Sequence, residues 1–329
     1  MNLFFLITLK ILLLSPGKTK DPWNVPLTLA SSPQMRAQLK NKPGIWMGKK
    51  DQIHQKHIQT AKIKKISFNK GGSTISLRLV FADGSKAAFK PEQYHEQTVP
   101  RFEIAAYVIN KLLGLDCVAP ATWRTITKKE LFSKLVVKNR YLRKRIVREI
   151  KYNKDGTIDG EVSTWIKVII PVKLESLKWR KRWIGWVSPW GRLNRKNFAY
   201  AAQISNMIIF DYMINNPDRF SGNNTFTDKS RKKFYFMDNT YSFYPDYEDI
   251  GNARFYLNQV RRFSLEMIRK IQKFTTKSLK QELAKIKNPP WKILSDKEIK
   301  AVMTRRNILL DHINKKIAQF GWSRTVVFP

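Results

Sequence analysis

The chain has 329 residues, 43% of them hydrophobic, which supplies core material for one large or two smaller domains and excludes global disorder. Its 62 Lys and Arg against 25 Asp and Glu leave a formal net charge of +37. That charge favours an anionic surface or acidic partner, but no zinc-finger, helix-turn-helix or RNA-binding aromatic motif accompanies it, so no specific nucleic-acid recognition is indicated. The single cysteine, Cys117, excludes an internal disulfide, a CxxC redox pair and a cysteine-rich zinc site. It sits in the apolar phrase GLDCVAP, where a small buried residue is expected.

The chain opens on MNLFFLITLKILLLSP, which is too short to span a bilayer comfortably. Residues 1–17 are expected to be a signal-like segment for export or a hydrophobic anchor, although a charged n-region and an A-x-A cleavage site are lacking. Residues 18–60 are rich in Pro, Lys and Gln and read as a basic arm with short helical pieces, pinned to the domain by Trp23 and Trp46. From Ile63 the pattern turns to alternation. KKISFNKGGSTISLRLVFADGSKAAFKP predicts three antiparallel strands, with turns at 69–72 and at Asp83-Gly84-Ser85. Lys90 falls near the end of the third strand.

VPRFEIAAYVINKLLGL predicts a helix from Pro100 to a Gly114 cap, with Glu103 in its first turn. Residues 118–126 read as another strand. Residues 134–151 are strongly basic and carry no clear period, and EVSTWIKVIIPV (161–172) is strand-like and suits a connection between lobes. In 173–197, Trp179, Trp183, Trp186 and Trp190 alternate with Lys and Arg. Such a stretch can stack on bases or sit at a membrane interface, but an insertion packed on the domain through its tryptophans is favoured. Helices are expected over 198–214, 258–273, 276–287 and 296–320.

From the last turns of the first of those helices towards the second runs IFDYMINNPDRFSGNNTFTDKSRKKFYFMDNTYSFYP (209–245). An acid on a polar loop, Asp218, is followed five residues later by the amide Asn223, and a second acid, Asp238, ends a short strand. With Lys90 on a strand and Glu103 on the next helix, the groups stand in the order that phosphoryl transfer from ATP needs. Lys90 can reach the phosphates and Glu103 can hold it. Asp218 can orient or deprotonate a hydroxyl. Asn223 and Asp238 offer hard oxygen donors to Mn²⁺ or Mg²⁺. Each residue alone reads equally well as a surface lysine, a helix-start acid or a turn former; the joint order favours the functional reading. No G-x-G-x-x-G loop and no H-R-D or D-F-G triplet is present, which excludes the ordinary eukaryotic protein kinases.

Over about residues 61–320 the sequence resembles the atypical secretory-pathway kinases, namely the Golgi casein kinase type (the family with sequence similarity 20) and its four-jointed relatives. The resemblance is carried by LVFADGSKAAFKP, FEIAAYVINKLLGL and VAPATWRTI, by the catalytic-loop phrase NNPDRFSGNN, by FYFMDNTYSF, and more loosely by DGTIDGEVSTWI and WRKRWIGWVSPW. It implies an α+β, bilobal atypical protein-kinase-like fold, with a β-rich N-lobe and lobe connection over 61–170 and a mainly helical C-lobe over 171–325. It also implies ATP with Mn²⁺ or Mg²⁺ as cofactors, a Lys90–Glu103 ion pair, Asp218 as catalytic residue and Asp238 as metal ligand. Phe220 and Thr240 depart from the family's pattern, and the disulfides of animal members are absent. The D-x₄-N spacing is closer to related phosphatidylinositol-kinase and HipA-like branches. Three readings follow: an active kinase acting on a protein, glycan or lipid hydroxyl, a catalytically inactive binding module, or a binder of anionic polymers or membrane surfaces.

Overall fold

A computed structural model describes residues 44–69, 73–220, 224–245 and 253–329. The apolar segment 1–17, most of the arm, Gly71-Gly72 and Asn223 lie outside the described residues.

The alternation upstream of Lys90 builds strands Ile63–Phe68 (β3), Leu77–Phe81 (β4) and Lys86–Pro91 (β5). With Ala121–Thr127 (β6) and Thr157–Thr164 (β7) they form one five-stranded antiparallel sheet in the order β3-β4-β5-β7-β6. Leu77, Leu79, Phe81, Ala87, Phe89, Ile158 and Val162 point to one face and form the small-lobe core. Side chains of opposite parity, Arg78, Ala88, Lys90, Glu161 and Ser163, line a cleft on the other face. Gly160 is required where β7 passes β5, because a Cβ there would lie 2.6 Å from the Lys90 carbonyl and 2.7 Å from the Phe89 ring.

The end of the basic arm is more ordered than its composition indicates. Ile45–Trp46 (β1) pairs with Lys49–Lys50 (β2), and Asp51–Thr60 (α1) docks on the sheet. Arg124 of β6 donates to the carbonyls of Ile58 and Ala61 at the end of α1, at 2.9 and 2.8 Å. The basic stretch after β6 forms two helices, Lys128–Lys134 (α3) and Arg140–Glu149 (α4). The expected strand over 161–172 divides into β7 and the two-residue Ile170–Pro171 (β8).

The helix after β5, Arg101–Leu112 (α2), has nine buried residues and belongs to the core of the larger lobe. A bidentate pair from Arg101 to Glu298 fixes its start to the long helix Asp296–Phe320 (α10). The larger lobe is built around Phe198–Ile214 (α6), whose burial extends over 13 of its 17 residues. Helix α6 ends on Asn215, which takes the left-handed conformation (φ 56°) suited to a helix stop. Arg305 of α10 donates to the Met213 carbonyl at that end. The tryptophan-rich stretch forms Leu177–Val187 (α5). Trp183 is fully buried and Trp179 and Trp186 pack against the core, while Trp190 is exposed beneath the Arg324 guanidinium. Thr225–Thr227 (β9) and Phe234–Phe236 (β10) join β8 in a small sheet. One helix was expected over 258–273. Instead Ala253–Gln259 (α7) and Leu265–Lys273 (α8) flank Phe263–Ser264 (β11), which pairs in parallel with Val326–Phe328 (β12). Thr276–Leu283 (α9) completes the lobe, packed against α2. Among the described residues no helix is long and apolar enough to cross a membrane.

Candidate active site

The pleat of β5 sends Lys90 into the cleft, and α2 brings Glu103 to meet it. Lys90 Nζ lies 2.6 Å from Glu103 Oε1 and 2.8 Å from Asp238 Oδ1. Burial opposes the lysine's charge, but the Asp238 and Glu103 carboxylates, with Glu161 behind them, outweigh it and raise the Lys90 pKa. The pair is assembled with α2 packed in the core of the larger lobe.

The loop after α6 presents Asp218. Its backbone N–H donates to Asn216 Oδ1 at 2.9 Å, an Asx-type turn. Asn224 Nδ2 donates to the Asp218 carboxylate at 2.7 Å and to its carbonyl at 3.0 Å. Next to it, Arg219 is buried and fully engaged. Its Nε bonds both oxygens of Asp211, Nη1 bonds the carbonyls of Asn224 and Met237, and Nη2 bonds Asn239 Oδ1 at 2.6 Å. Burial pushes the Asp211 carboxyl up to about 6 against the pull of Arg219. One guanidinium thus ties the last turns of α6, the loop and the segment after β10 together. Arg219→Ala leaves Asp211 buried without its cation and is expected to cost about 3–5 kcal/mol in denaturant unfolding. Arg219→Lys restores the charge but not the fork, and recovers only part of that loss. A loss in Arg219→Ala below about 1 kcal/mol would contradict this account.

Asp238 stands directly after β10 in the left-handed region (φ 57°), a strained position for a non-glycine residue of the kind found at functional sites. Partial burial disfavours its charge, yet Lys90 and the Thr240 hydroxyl, 2.9 Å away, hold its pKa below the usual value. The next residue ties the Asp238 segment to α2. Asn239 donates from its backbone N to Glu103 Oε1 (2.9 Å) and from Nδ2 to Glu103 Oε2 (3.0 Å).

Lys90, Glu103, Asp218 and Asp238 all face one cleft of about 1220 Å³. Ala88, Val118, Ala121, Phe226 and Met237 give it an apolar section, and Arg78 sits over the Trp165 ring at 5.5 Å along the same wall. Glu161, directly across the sheet from Lys90, is 0% exposed, and neither of its oxygens has a hydrogen-bond partner of normal geometry. Burial, reinforced by Glu103, raises its pKa well above the usual carboxylate value.

Four of the five residues singled out in the sequence therefore meet in one cleft. The fifth, Asn223, lies outside the described residues; among the described ones, its neighbour Asn224 hydrogen-bonds Asp218. Sequence reading also passed over Arg219, Asn239 and Glu161 as parts of the site, although DR and DN were visible as motifs. The departures have packing explanations. Phe220 stacks on Tyr256 with ring centroids 3.7 Å apart and leans on Trp183, and the Thr240 side chain supports Asp238. Cys117 is buried, its thiol pushed up to about 12 by burial, as expected of a packing residue. Among the described residues no group of three or more His, Cys, Asp or Glu could hold a metal alone. Two donors, Asp238 and an amide, suit a cation that is otherwise held by phosphate oxygens and water.

The model of the four-jointed box protein middle domain matches residues 49–319. No curated protein matches the chain. Among solved structures, a Golgi casein kinase aligns with a TM-score of 0.69 at 18% identity, covering 89% of this chain and 88% of that one. A Golgi casein kinase with Mn and ADP bound aligns at 0.68 and 18% identity, covering 84% of this chain and 78% of that one. A hydra Fam20 protein solved with sugar aligns at 0.63 and 16% identity, covering 83% and 90%. The fold is that of these kinases: a bilobal α+β architecture with a β-rich small lobe and a mainly helical large lobe.

Proposed function

The chain belongs to the four-jointed box family, and from that premise we propose that it is an ATP-dependent kinase transferring the γ-phosphate to a hydroxyl. The observation that carries this is the convergence of Lys90, Glu103, Asp218 and Asp238 on one cleft that has an apolar section for a base. Proteins of the same fold have been solved with Mn and ADP and with sugar, which supports ATP and Mn²⁺ as cofactors and a protein Ser/Thr or sugar hydroxyl as acceptor.

The residues fit a metal nucleotide. Lys90, its charge stabilised by Glu103, would bind phosphate oxygens, and Asp238, with an amide from the Asp218 loop, would hold Mn²⁺ or Mg²⁺. The bound cation supplies neutralisation of phosphate charge. Asp218, held ready by Asn224 and Asn216, would accept the proton of the acceptor hydroxyl or orient that hydroxyl for attack. Arg219 and Asn239 keep the three acids in mutual register, because one connects the loop to the Asp238 segment and the other connects that segment to Glu103. Titration calorimetry with ATP is expected to show binding that depends on Mn²⁺ and weakens by about tenfold or more in Lys90→Ala. Metal-independent binding, or equal affinity in the variant, would sink the nucleotide reading.

A further inference from the structure

We infer that helix α4 is a docking surface for an anionic bilayer. This inference is independent of the kinase reading. Between Leu131 and Lys154 the only acid is Glu149. Glu149 is occupied by Arg145, whose Nε and Nη2 reach its two oxygens at 2.8–3.1 Å. The outer arc of α4 and its flanks leave Lys138, Arg140, Arg143, Lys144, Arg148 and Lys151 exposed. An ordinary solvated helix face mixes signs, whereas this one is cationic throughout.

The same surface exposes apolar side chains. On α4, Tyr141 and Val147 are 63% and 51% exposed. On the helix, Val147 falls one turn from Arg143 and Lys144, and Tyr141 one turn from Lys144. Against a soluble polyanion these apolar groups would stay wet. At a headgroup boundary they would be buried while the arginines meet lipid phosphates, which is the pattern of an interfacial helix. The helix is also rigidly mounted, so little ordering cost would be met on docking. Ile146 is fully buried, Asn139 caps the first turn, and Arg145 Nη2 holds the Ser73 carbonyl at 2.6 Å.

The test is co-sedimentation of the full chain, without nucleotide, with vesicles of phosphatidylcholine alone or mixed with phosphatidylserine. The wild type is expected to sediment with the mixed vesicles only, less so as salt is raised. The combined Arg140→Glu, Arg143→Glu and Lys144→Glu variant is expected to lose about tenfold or more in partition. Tyr141→Ser with Val147→Ser, which changes no charge, is expected to lose several-fold. All five side chains are exposed, so both variants should melt like the wild type. Unchanged partition of the charge variant would move the surface elsewhere. Full binding by the Tyr141→Ser/Val147→Ser variant, with heparin competing equally in both, would mean a polyanion site and overturn the bilayer assignment. Because no phosphoryl transfer is read, failure here leaves the kinase reading untouched, and the converse also holds.

Discussion

Asp238→Ala is expected to lower metal-dependent phosphoryl transfer by about 10³-fold or more, since removing a metal ligand forfeits several kcal/mol of charge stabilisation. The fold should survive the change. The side chain keeps 43% of its surface, and Lys90 retains its 2.6 Å pair with Glu103. Loss of transfer with an unchanged melting temperature would therefore report on the site. The loss should appear in kcat and in the affinity for Mn²⁺ together, and raising the metal concentration should restore only part of the rate. Transfer within a few-fold of the wild type would remove Asp238 from the metal site.

Asp218→Asn should behave differently. The substitution keeps an oxygen that can accept the Asn224 Nδ2–H bond, now at 2.7 Å, and leaves Lys90, Glu103 and Asp238 in place. What disappears is the carboxylate facing the acceptor hydroxyl. A fall in kcat of about 10²–10⁴-fold is expected, with the KM for ATP nearly unchanged. A variant that loses ATP affinity and keeps kcat would assign Asp218 to nucleotide binding. Measured together, the two substitutions separate cation binding from hydroxyl activation within one cleft.

Much of the small lobe was legible because its rules are local. Alternation sets which strand residues face the cleft, so Lys90 at the end of the third strand could be assigned to that face. Glu103 in the first turn of the next helix was visible for the same reason. The amide was harder. Asn223 lies outside the described residues, and the bond from its neighbour Asn224 to Asp218 depends on a backbone conformation that spacing alone does not decide. Arg219 and Asn239 are visible in the sequence only as motif letters, since a buried guanidinium has no periodic signature and its five bonds reach residues 5–20 positions away. Helix α4 was hidden for a related reason. Basic residues surround its one buried apolar side chain, Ile146, whose packing in the sheet core no local period announces. The break between α7 and α8 depends on pairing with Val326–Phe328, more than sixty residues away, which no local window contains.

The most direct test of the central claim is transfer of label from γ-labelled ATP, with Mn²⁺ or Mg²⁺, to parallel pools of protein, glycan and lipid acceptors. Wild type, Asp238→Ala and Asp218→Asn are run side by side. The account predicts metal-dependent labelling of a protein or glycan pool by the wild type and strong loss in both variants. Absence of transfer to every pool, or equal labelling by all three proteins, would contradict it.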